Sequence, residues 1–344
     1  MLFRSRLLDE LDLRLVKAVE APRIKLFRRI NMAPDGTATL VSMRGQLIRS
    51  LLDNPALSAV DQDLKHLFIA WFNKGFLEMR RIDWGSPAMV LEKIIEYEAV
   101  HEINGWDDLR SRLQPDRLCY AFFHPAMPND PLVFVEIALT QGAAGDIGPL
   151  LASPREMLPP NRMDTVVFYS ISNCHPGLAG VSFGNFLIKH VVEEIHREIP
   201  AIDQFVTLSP IPGFLSWLER EDLSHLLDTR SEAAVKQTLA TGGQNTTGPG
   251  GEDVAPVLMK LCAHYLVNAR RGNLARDPVA RFHLGNGASL FRLNWGADRS
   301  EKGLRQSAGI MVNYLYDLDR IEENHDEYFD QGRISASKNL RKLL

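Results

Sequence analysis

The chain has 344 residues, enough for one large domain or two domains of ordinary size. Its 39 Lys and Arg residues against 43 Asp and Glu residues give a net charge of −4, which excludes binding of nucleic acid or of an anionic membrane through overall charge. Hydrophobic residues make up 45% of the chain and charged residues 24%, as expected for a folded protein with a full hydrophobic core.

The cysteines and the apolar runs indicate the cell compartment. Cys119, Cys174 and Cys262 form no CxxC pair, which favours reduced, buried thiols over a disulfide framework or a zinc site. No apolar run reaches the roughly 18 residues of a membrane span. Residues 1–20 carry charges throughout and lack the uninterrupted apolar segment of a secretory signal. We therefore expect a cytoplasmic protein that does not bind a membrane.

Residues 1–82 are predicted to form a helical domain. Between residues 40 and 77, apolar and aromatic side chains recur every three or four residues, which is the spacing of one helix face. These residues are Leu40, Met43, Leu47, Leu51, Leu64, Leu67, Phe68, Trp71, Phe72 and Leu77. Such a stripe must be buried, either against the rest of the chain or against another subunit. The periodicity leaves both alternatives open.

Residues 83–344 are predicted to form a mixed domain of helices and strands. The β-branched and aromatic content predicts strands over residues 118–123, 132–139, 166–171, 205–208 and 288–295, and a last apolar element over 309–319. Residues from about 215 to 275 have mainly helical patterns and are predicted to be a helical insertion. The fold class that follows is α+β, with an all-helical N-terminal domain before a domain built on a β-sheet.

The segment 166–199 has the layout of an anion-binding site. A buried strand leads into a loop that contains Gly177, Gly180 and Gly184, and an amphipathic helix follows from about residue 183. Glycines let a ligand approach the main chain, and the free N–H groups of a helix N-terminus favour a phosphate or pyrophosphate. The alternative is that the glycines only form a tight turn between strand and helix.

A serine hydrolase is one alternative that the sequence raises. The residues Gly180-Val181-Ser182-Phe183-Gly184 match GxSxG, and Ser182 with Asp203 or Asp228 and His283 follows a hydrolase order. However, Ser182 lies about ten residues beyond the predicted strand, whereas a nucleophile elbow turns directly from strand to helix. The sequence therefore disfavours this interpretation.

Four other side chains are candidates for chemistry. Ser209 follows a strand and precedes a rigid corner, Pro210-Ile211-Pro212-Gly213, so its hydroxyl is placed at an edge that a ligand can reach. His283 titrates near neutral pH, which suits proton transfer, although a histidine between apolar neighbours is more often a core residue. Tyr314 and Tyr316 are expected in the core, with one hydroxyl available to a pocket.

Six segments of the chain, taken together, resemble the malonyl-CoA decarboxylase family. They are HPAMPNDPLVFVEIALT, FYSISN with the following GLAG, TLSPIPGF, DPVARFHLGNGA, LNWGADRS with the following KGL, and GIMVNYLYDLD. The resemblance extends from about Ile82 to the C-terminus. It implies a catalytic domain similar to the GCN5-related acetyltransferase fold, in which a strand, a glycine-containing loop and a helix N-terminus bind the pyrophosphate of coenzyme A.

The resemblance also implies roles for individual residues. The functional serine of the family falls on Ser209, its histidine on His283, and a tyrosine near that site on Tyr316. The coenzyme A loop falls on Ala179, Gly180, Val181, Ser182, Phe183, Gly184 and Asn185. The expected partners are malonyl-CoA and acetyl-CoA, with no metal and no resident cofactor, because the substrate itself supplies the coenzyme A moiety. The N-terminal helices are expected to form a homo-oligomer, with a tetramer as the state found in relatives.

Loss of CO2 from a malonyl thioester leaves an enolate, so the enzyme has to stabilise an oxyanion and then protonate carbon. We expect His283 to donate the proton, and Ser209 to hold the carboxylate or to relay the proton with His283. Three other functions remain alternatives: an acyl-CoA N-acetyltransferase of the same fold, a hydrolase that acts through Ser182, and an acyl-CoA sensor without catalysis.

Overall fold

The computed structural model describes residues 21–181, 186–222, 227–247 and 251–344. These residues divide into two compact units. The first unit comprises residues 21–80, 122–133 and 173–181, and the second comprises the remaining described residues, from 81 onward. The first unit thus joins the N-terminal helices to two segments that come from much later in the chain.

The first unit contains three helices: α1 (Pro22–Asn31), α2 (Gly36–Ser50) and α3 (Ser58–Trp71). The helix α1 begins with a proline at its first position, where the missing N–H costs no hydrogen bond. The apolar stripes predicted from the sequence are largely buried, with Leu40, Leu64 and Phe68 fully inaccessible to solvent. The predicted N-terminal helices are therefore confirmed.

The rest of the chain alternates between helices and strands. The further helices are α4 (Ala88–Tyr97), α5 (Trp106–Arg112), α6 (Ile147–Leu151), α7 (Phe186–Glu198), α8 (Phe214–Leu218), α9 (Thr229–Ala240), α10 (Gly251–Asn268), α11 (Pro278–Gly285), α12 (Glu301–Ser307), α13 (Ile321–Gln331) and α14 (Lys338–Arg341). The strands are β1 (Glu78–Arg81), β2 (Arg117–Phe123), β3 (Val133–Thr140), β4 (Thr165–Asn173), β5 (Gln204–Thr207), β6 (Ser209–Pro210), β7 (Arg270–Arg271), β8 (Leu274–Ala275), β9 (Ser289–Asn294) and β10 (Met311–Leu315).

One eight-stranded sheet organises these elements. Its order is β1-β2-β3-β4-β5-β10-β6, and β9 pairs with β10. The pair β4 and β5 is parallel, with Val166 opposite Phe205, whereas β10 runs antiparallel to β5, β6 and β9. The sheet is therefore mixed, and the predicted α+β class is confirmed.

The antiparallel strand β10 positions the segment around residue 209. Along β10, Leu315 lies opposite Val206 of β5, and Val312 lies opposite Ser209 of β6. The chain thus changes from β5 to β6 at Leu208 while one continuous strand supports both. Residues of β4, β5 and β10 pack into the same apolar cluster, which consists of Ala138, Ile147, Leu150, Val167, Tyr169, Val206, Leu208, Ala297 and Met311.

The region predicted as a helical insertion contains α8, α9 and α10, followed by the short antiparallel pair β7 and β8. That pair was not predicted, because two-residue strands carry no periodic signal. Cys119, Cys174 and Cys262 are buried, as expected, and form no disulfide in the described part of the chain. Among the described helices none is both long and apolar enough to cross a membrane.

Candidate active site

The structure brings Ser209, His283 and Tyr316 together in one hydrogen-bonded chain. Ser209 Oγ lies 3.1 Å from His283 Nε2, and His283 Nδ1 lies 2.8 Å from the Tyr316 hydroxyl. Ser209 opens β6, His283 lies on α11, and Tyr316 follows the end of β10. Three segments that are far apart in sequence therefore converge on one imidazole.

The chain of contacts is buried and carries no charge. His283 is 2% exposed and Ser209 is 5% exposed. Burial lowers the pKa of His283 from its ordinary value of 6.5 to about 3, because desolvation disfavours the imidazolium. Burial also raises the pKa of Tyr316 well above its ordinary value of 10.0. At neutral pH the imidazole and the phenol are both uncharged.

The partner of Ser209 determines the tautomer of His283. The Ser209 hydroxyl donates to Thr207 Oγ1 at 2.8 Å, so its single hydrogen is not available to the imidazole. Ser209 Oγ therefore accepts from an Nε2–H group, and Nδ1 accepts from the Tyr316 O–H. Thr207 Oγ1 also accepts the main-chain N–H of Tyr314 at 3.1 Å, which holds the threonine in place.

Aromatic rings fix the plane of the imidazole. The Tyr314 ring stacks on His283, with centroids 4.4 Å apart and planes 23° apart, and the Tyr316 ring meets it edge-on at 6.1 Å. The Tyr314 hydroxyl is buried and has no hydrogen-bond partner in the described part of the chain. The residue pattern alone does not distinguish the two tyrosines, the family resemblance implies Tyr316, and in the structure Tyr316 is the one bonded to the histidine.

Asp277 links the helix that carries His283 to the corner that follows Ser209. Its Oδ1 accepts the N–H groups of Val279 and Ala280, each at 2.9 Å, and so caps α11. Its Oδ2 lies 3.4 Å from the N–H of Gly213 and 3.4 Å from the Tyr265 hydroxyl. A Cβ at position 213 would collide with that hydroxyl, so the glycine permits the close approach.

Sequence analysis did not assign a role at the site to Thr207 or Asp277. A threonine in a strand is an ordinary β-former, and an aspartate before a proline is an ordinary helix cap. The pair Asp277-Pro278 has the composition of an N-cap before a proline at the first helical position, but no helix was predicted from it.

The described part of the predicted coenzyme A loop is Ala179, Gly180 and Val181. Arg44 holds it from α2, donating from Nη1 to the carbonyl oxygens of Gly177 at 2.7 Å and Ala179 at 3.0 Å. Gly180 has a φ of 72°, the left-handed conformation that favours glycine. Ser182, Phe183, Gly184 and Asn185 lie outside the described residues.

The contacts of His283 do not fit the catalytic triad of a serine hydrolase. Both ring nitrogens of His283 are engaged by Ser209 and Tyr316, which leaves neither for a triad carboxylate. Asp228 instead caps α9 through the N–H of Ser231, and Asp203 is exposed. Over residues 21–181, 186–222, 227–247 and 251–344, no group of three or more His, Cys, Asp or Glu side chains is arranged to hold a metal ion.

Comparisons with known proteins agree with the resemblance noted in the sequence. Residues 75–344 match the family described as "Malonyl-CoA decarboxylase C-terminal domain", and residues 5–72 match "Malonyl-CoA decarboxylase N-terminal domain". The chain is 37% identical, over 350 residues, to "Malonyl-CoA decarboxylase, mitochondrial" of Rattus norvegicus, covering 94% of this chain and 71% of the rat protein.

Two crystal structures are similar to the whole fold. The malonyl-CoA decarboxylase from Rhodopseudomonas palustris matches with a TM-score of 0.90 and 49% identity, over 99% of this chain and 84% of that one. The malonyl-CoA decarboxylase from Agrobacterium vitis matches with a TM-score of 0.87 and 48% identity, over 96% of this chain and 82% of that one.

Proposed function

The chain belongs to the malonyl-CoA decarboxylase family, and we propose that this carboxy-lyase releases acetyl-CoA and CO2 through the hydrogen-bonded residues Ser209, His283 and Tyr316. The observation that carries the assignment of residues is the uncharged chain of hydrogen bonds centred on His283. It combines a neutral imidazole, a serine hydroxyl and a phenol, all of which are buried.

The reaction requires two steps at one carbon atom. The bond between the malonyl carboxylate and the α-carbon breaks, CO2 leaves, and the electron pair moves into the thioester carbonyl to form an enolate. The enolate carbon then takes up one proton, which gives acetyl-CoA. The thioester itself accepts the electron pair, so the proposal includes no metal and no prosthetic group. Hydrogen-bond donors at the oxyanion are each worth on the order of 10²–10³ in rate.

The tautomer of His283 suggests the route of the proton. With Nε2–H directed at Ser209 and Nδ1 accepting from Tyr316, the imidazole can lose one proton as it gains another and never becomes an imidazolium. We assign Ser209 as the group that passes its proton to carbon, His283 Nε2–H as the group that restores the proton of Ser209, and Tyr316 as the group that protonates Nδ1 and is then itself reprotonated. The net proton comes from solvent.

The alternative role for Ser209 is to hold the malonyl carboxylate. A hydroxyl that donates to Thr207 at rest needs only a rotation about its Cβ–Oγ bond to donate to a carboxylate instead. A covalent acyl-serine is not part of either role, because decarboxylation requires no nucleophile at the carbonyl carbon.

We assign coenzyme A binding to the loop that runs from Ala179 to Asn185. The helix α7 begins at Phe186, so the loop leads into the N-terminus of a 13-residue helix, where main-chain N–H groups favour a phosphate. Arg44 supports this assignment, because its bonds to Gly177 and Ala179 hold the first half of the loop in one conformation.

Incubation of the purified protein with malonyl-CoA tests the function directly. We expect CO2 and acetyl-CoA in equal amounts with no free coenzyme A thiol. Release of free thiol would indicate the hydrolase alternative through Ser182. Consumption of acetyl-CoA only in the presence of an amine would indicate an N-acetyltransferase, and binding of malonyl-CoA without turnover would indicate a sensor.

We propose a homo-oligomer, with a tetramer as the state to test. Large apolar side chains of the N-terminal helices and of the turns that follow them are exposed in the single chain: Leu26, Met32, Leu52 and Ile69. Exposed apolar surface of this kind favours a subunit contact. Light scattering on the purified protein measures the state, and a monomer at micromolar concentration would contradict the proposal.

We propose a cytoplasmic location. The three cysteines form no disulfide among the described residues, which suits a reducing compartment. The similar animal proteins are named mitochondrial, so fractionation of the source cells is the measurement that decides.

A further inference from the structure

The N-terminal helices present an ammonium group to the loop at Gly180. Lys65 lies on α3, and a Cβ at position 180 would lie 3.0 Å from its Nζ and 3.2 Å from its Cε. Within the described part of the chain, no carboxylate forms an ion pair with Lys65, and no acceptor takes a hydrogen bond from it. The charge of Lys65 therefore faces the loop without a counter-ion among the described residues.

Unlike Lys65, Arg44 of the same unit has hydrogen-bond partners in the protein. Its Nε donates to Asp61 Oδ1 at 2.8 Å, and its Nη1 is taken by two carbonyl oxygens of the loop. Asp61 and Lys65 are four residues apart on α3 and so lie on one face of that helix. On this face the carboxylate of Asp61 pairs with Arg44, and Arg44 holds the loop in place. The ammonium of Lys65 remains available to bind an anion.

A main-chain donor accompanies Lys65. In a trans peptide the C=O and N–H groups point in opposite directions, and the carbonyl of Ala179 faces Arg44. The N–H of Gly180 therefore points away from Arg44. No acceptor in the described residues takes this N–H, and Gly180 is exposed. A free amide beside an unpaired ammonium is a two-point site for a phosphate oxygen.

We infer that Lys65 binds a phosphate group of the coenzyme A moiety, so that the N-terminal helices take part in binding the substrate. This inference rests on the proposed assignment of the loop to coenzyme A. The pyrophosphate and the 3′-phosphate share the chemistry that Lys65 recognises. A substrate that lacks only the 3′-phosphate distinguishes them.

The test compares Lys65→Gln with Lys25→Gln on two substrates. Lys25 is an exposed lysine on α1 of the same unit, so its substitution removes the same charge from a different helix. With malonyl-CoA, we expect the KM of Lys65→Gln to rise about tenfold, because a hydrogen bond to a charged group is lost, while kcat stays within about twofold. With malonyl-pantetheine, which has no phosphate, we expect both variants to match the wild type.

Further substrates locate the phosphate. If the penalty of Lys65→Gln persists with malonyl-dephospho-CoA, Lys65 binds the pyrophosphate, and if it disappears, Lys65 binds the 3′-phosphate. Lys65→Arg keeps the charge, so we expect it to restore most of the affinity. The KM of the wild type should also rise more steeply with added salt than that of Lys65→Gln, since screening weakens an exposed ionic contact.

Two results would overturn the inference. One is an unchanged KM of Lys65→Gln for malonyl-CoA, and the other is an equal rise of KM with malonyl-pantetheine, which would mean that Lys65 only supports the structure. If the wild type turns over neither substrate, the proposed function fails instead. Titration calorimetry with coenzyme A then still decides whether Lys65→Gln weakens binding relative to Lys25→Gln.

Discussion

The region around His283 and the region around Gly180 treat charge in opposite ways. At His283 the imidazole, the phenol of Tyr316 and the hydroxyl of Ser209 are buried, and burial keeps the imidazole neutral. At Gly180 the main chain is exposed, a paired Arg44 lies behind it, and the ammonium of Lys65 has no counter-ion among the described residues. The groups around His283 are uncharged, whereas the region around Gly180 carries the positive charge of Lys65.

The contrast teaches how each region can contribute to a reaction. Hydrogen bonds in a dry environment are strong and directional, so the His283 region is suited to the transition state and should affect kcat. Ionic contacts near water are weaker and are screened by salt, so the Gly180 region should affect KM. Substitutions near His283 should therefore lower kcat, and substitutions near Gly180 should raise KM.

Replacement of the imidazole should have the largest effect. We expect His283→Ala to reduce kcat by about 10²–10³-fold, because both the source of the proton and the support of Ser209 are lost. Coenzyme A binding should remain measurable. His264→Ala is the matched control, since His264 stacks on Trp217 in the helical insertion and should leave kcat unchanged. Steady-state kinetics with malonyl-CoA provide the measurement, and turnover like that of the wild type in His283→Ala would remove His283 from the mechanism.

Loss of the Ser209 hydroxyl should have the second-largest effect on kcat. We expect Ser209→Ala to reduce kcat by well over tenfold, roughly 10²-fold, with little change in coenzyme A affinity. Ser216→Ala is the control, because the exposed Ser216 hydroxyl only donates to the carbonyl of Gly213. If Ser209 holds the malonyl carboxylate, the variant should lose affinity for malonyl-CoA and keep its affinity for acetyl-CoA. If Ser209 relays the proton, both affinities should stay the same.

The two tyrosines that contact His283 provide a matched pair of smaller substitutions. Tyr316→Phe removes the donor to His283 Nδ1, and we expect kcat to fall about tenfold. Tyr314→Phe removes a hydroxyl that has no hydrogen-bond partner in the described structure, so we expect almost no change. Equal losses in the two variants would show that ring packing, rather than the hydrogen bond of Tyr316, supports the histidine.

The neutral state of His283 predicts a pH dependence of stability. The pKa of His283 is lower in the folded protein, about 3, than the ordinary 6.5 of an unfolded chain, so the unfolded state binds more protons between these values. The contribution of His283 to stability is therefore complete above pH 6.5 and decreases as the pH falls toward 3. Between pH 6.5 and 5 we expect the wild type to lose on the order of 1–2 kcal/mol more than His283→Gln. Denaturant unfolding at several pH values measures this difference, and parallel curves for the two proteins would contradict it.

The sequence identified some residues of the two regions and left others undetermined. Ser209 and His283 were identified because TLSPIPGF and RFHLGNGA resemble a known family, and the strands that carry the site have the expected apolar content. Side chains two apart on an extended strand share one face, so periodicity left Tyr314 and Tyr316 equivalent. The family resemblance implied Tyr316, and the three-dimensional structure shows that its hydroxyl meets the imidazole.

The supporting residues could not be predicted for a physical reason. Thr207 and Asp277 look ordinary in their local sequence, and their contacts to the site depend on long-range packing. Asp277 meets Gly213 across 64 residues of chain, and Lys65 meets Gly180 across an even longer separation. Local patterns determine helices and strands, whereas contacts of this kind depend on the tertiary fold.

The smallest effect is expected from a change of Arg44, which holds the loop, in contrast to Lys65, which we propose to bind the substrate. Arg44→Lys keeps a positive charge near Asp61, but a single ammonium cannot reproduce the fork that reaches Asp61 and the two carbonyls of Gly177 and Ala179 together. We expect the loop to hold its conformation less well, so that KM for malonyl-CoA rises about threefold while kcat does not change. Because this effect acts through the conformation of the loop, salt should not remove it, in contrast to the effect of Lys65→Gln. A fall in kcat of Arg44→Lys without a rise in KM would mean that the loop acts on the reacting carbon, and the separation between the two regions would no longer hold.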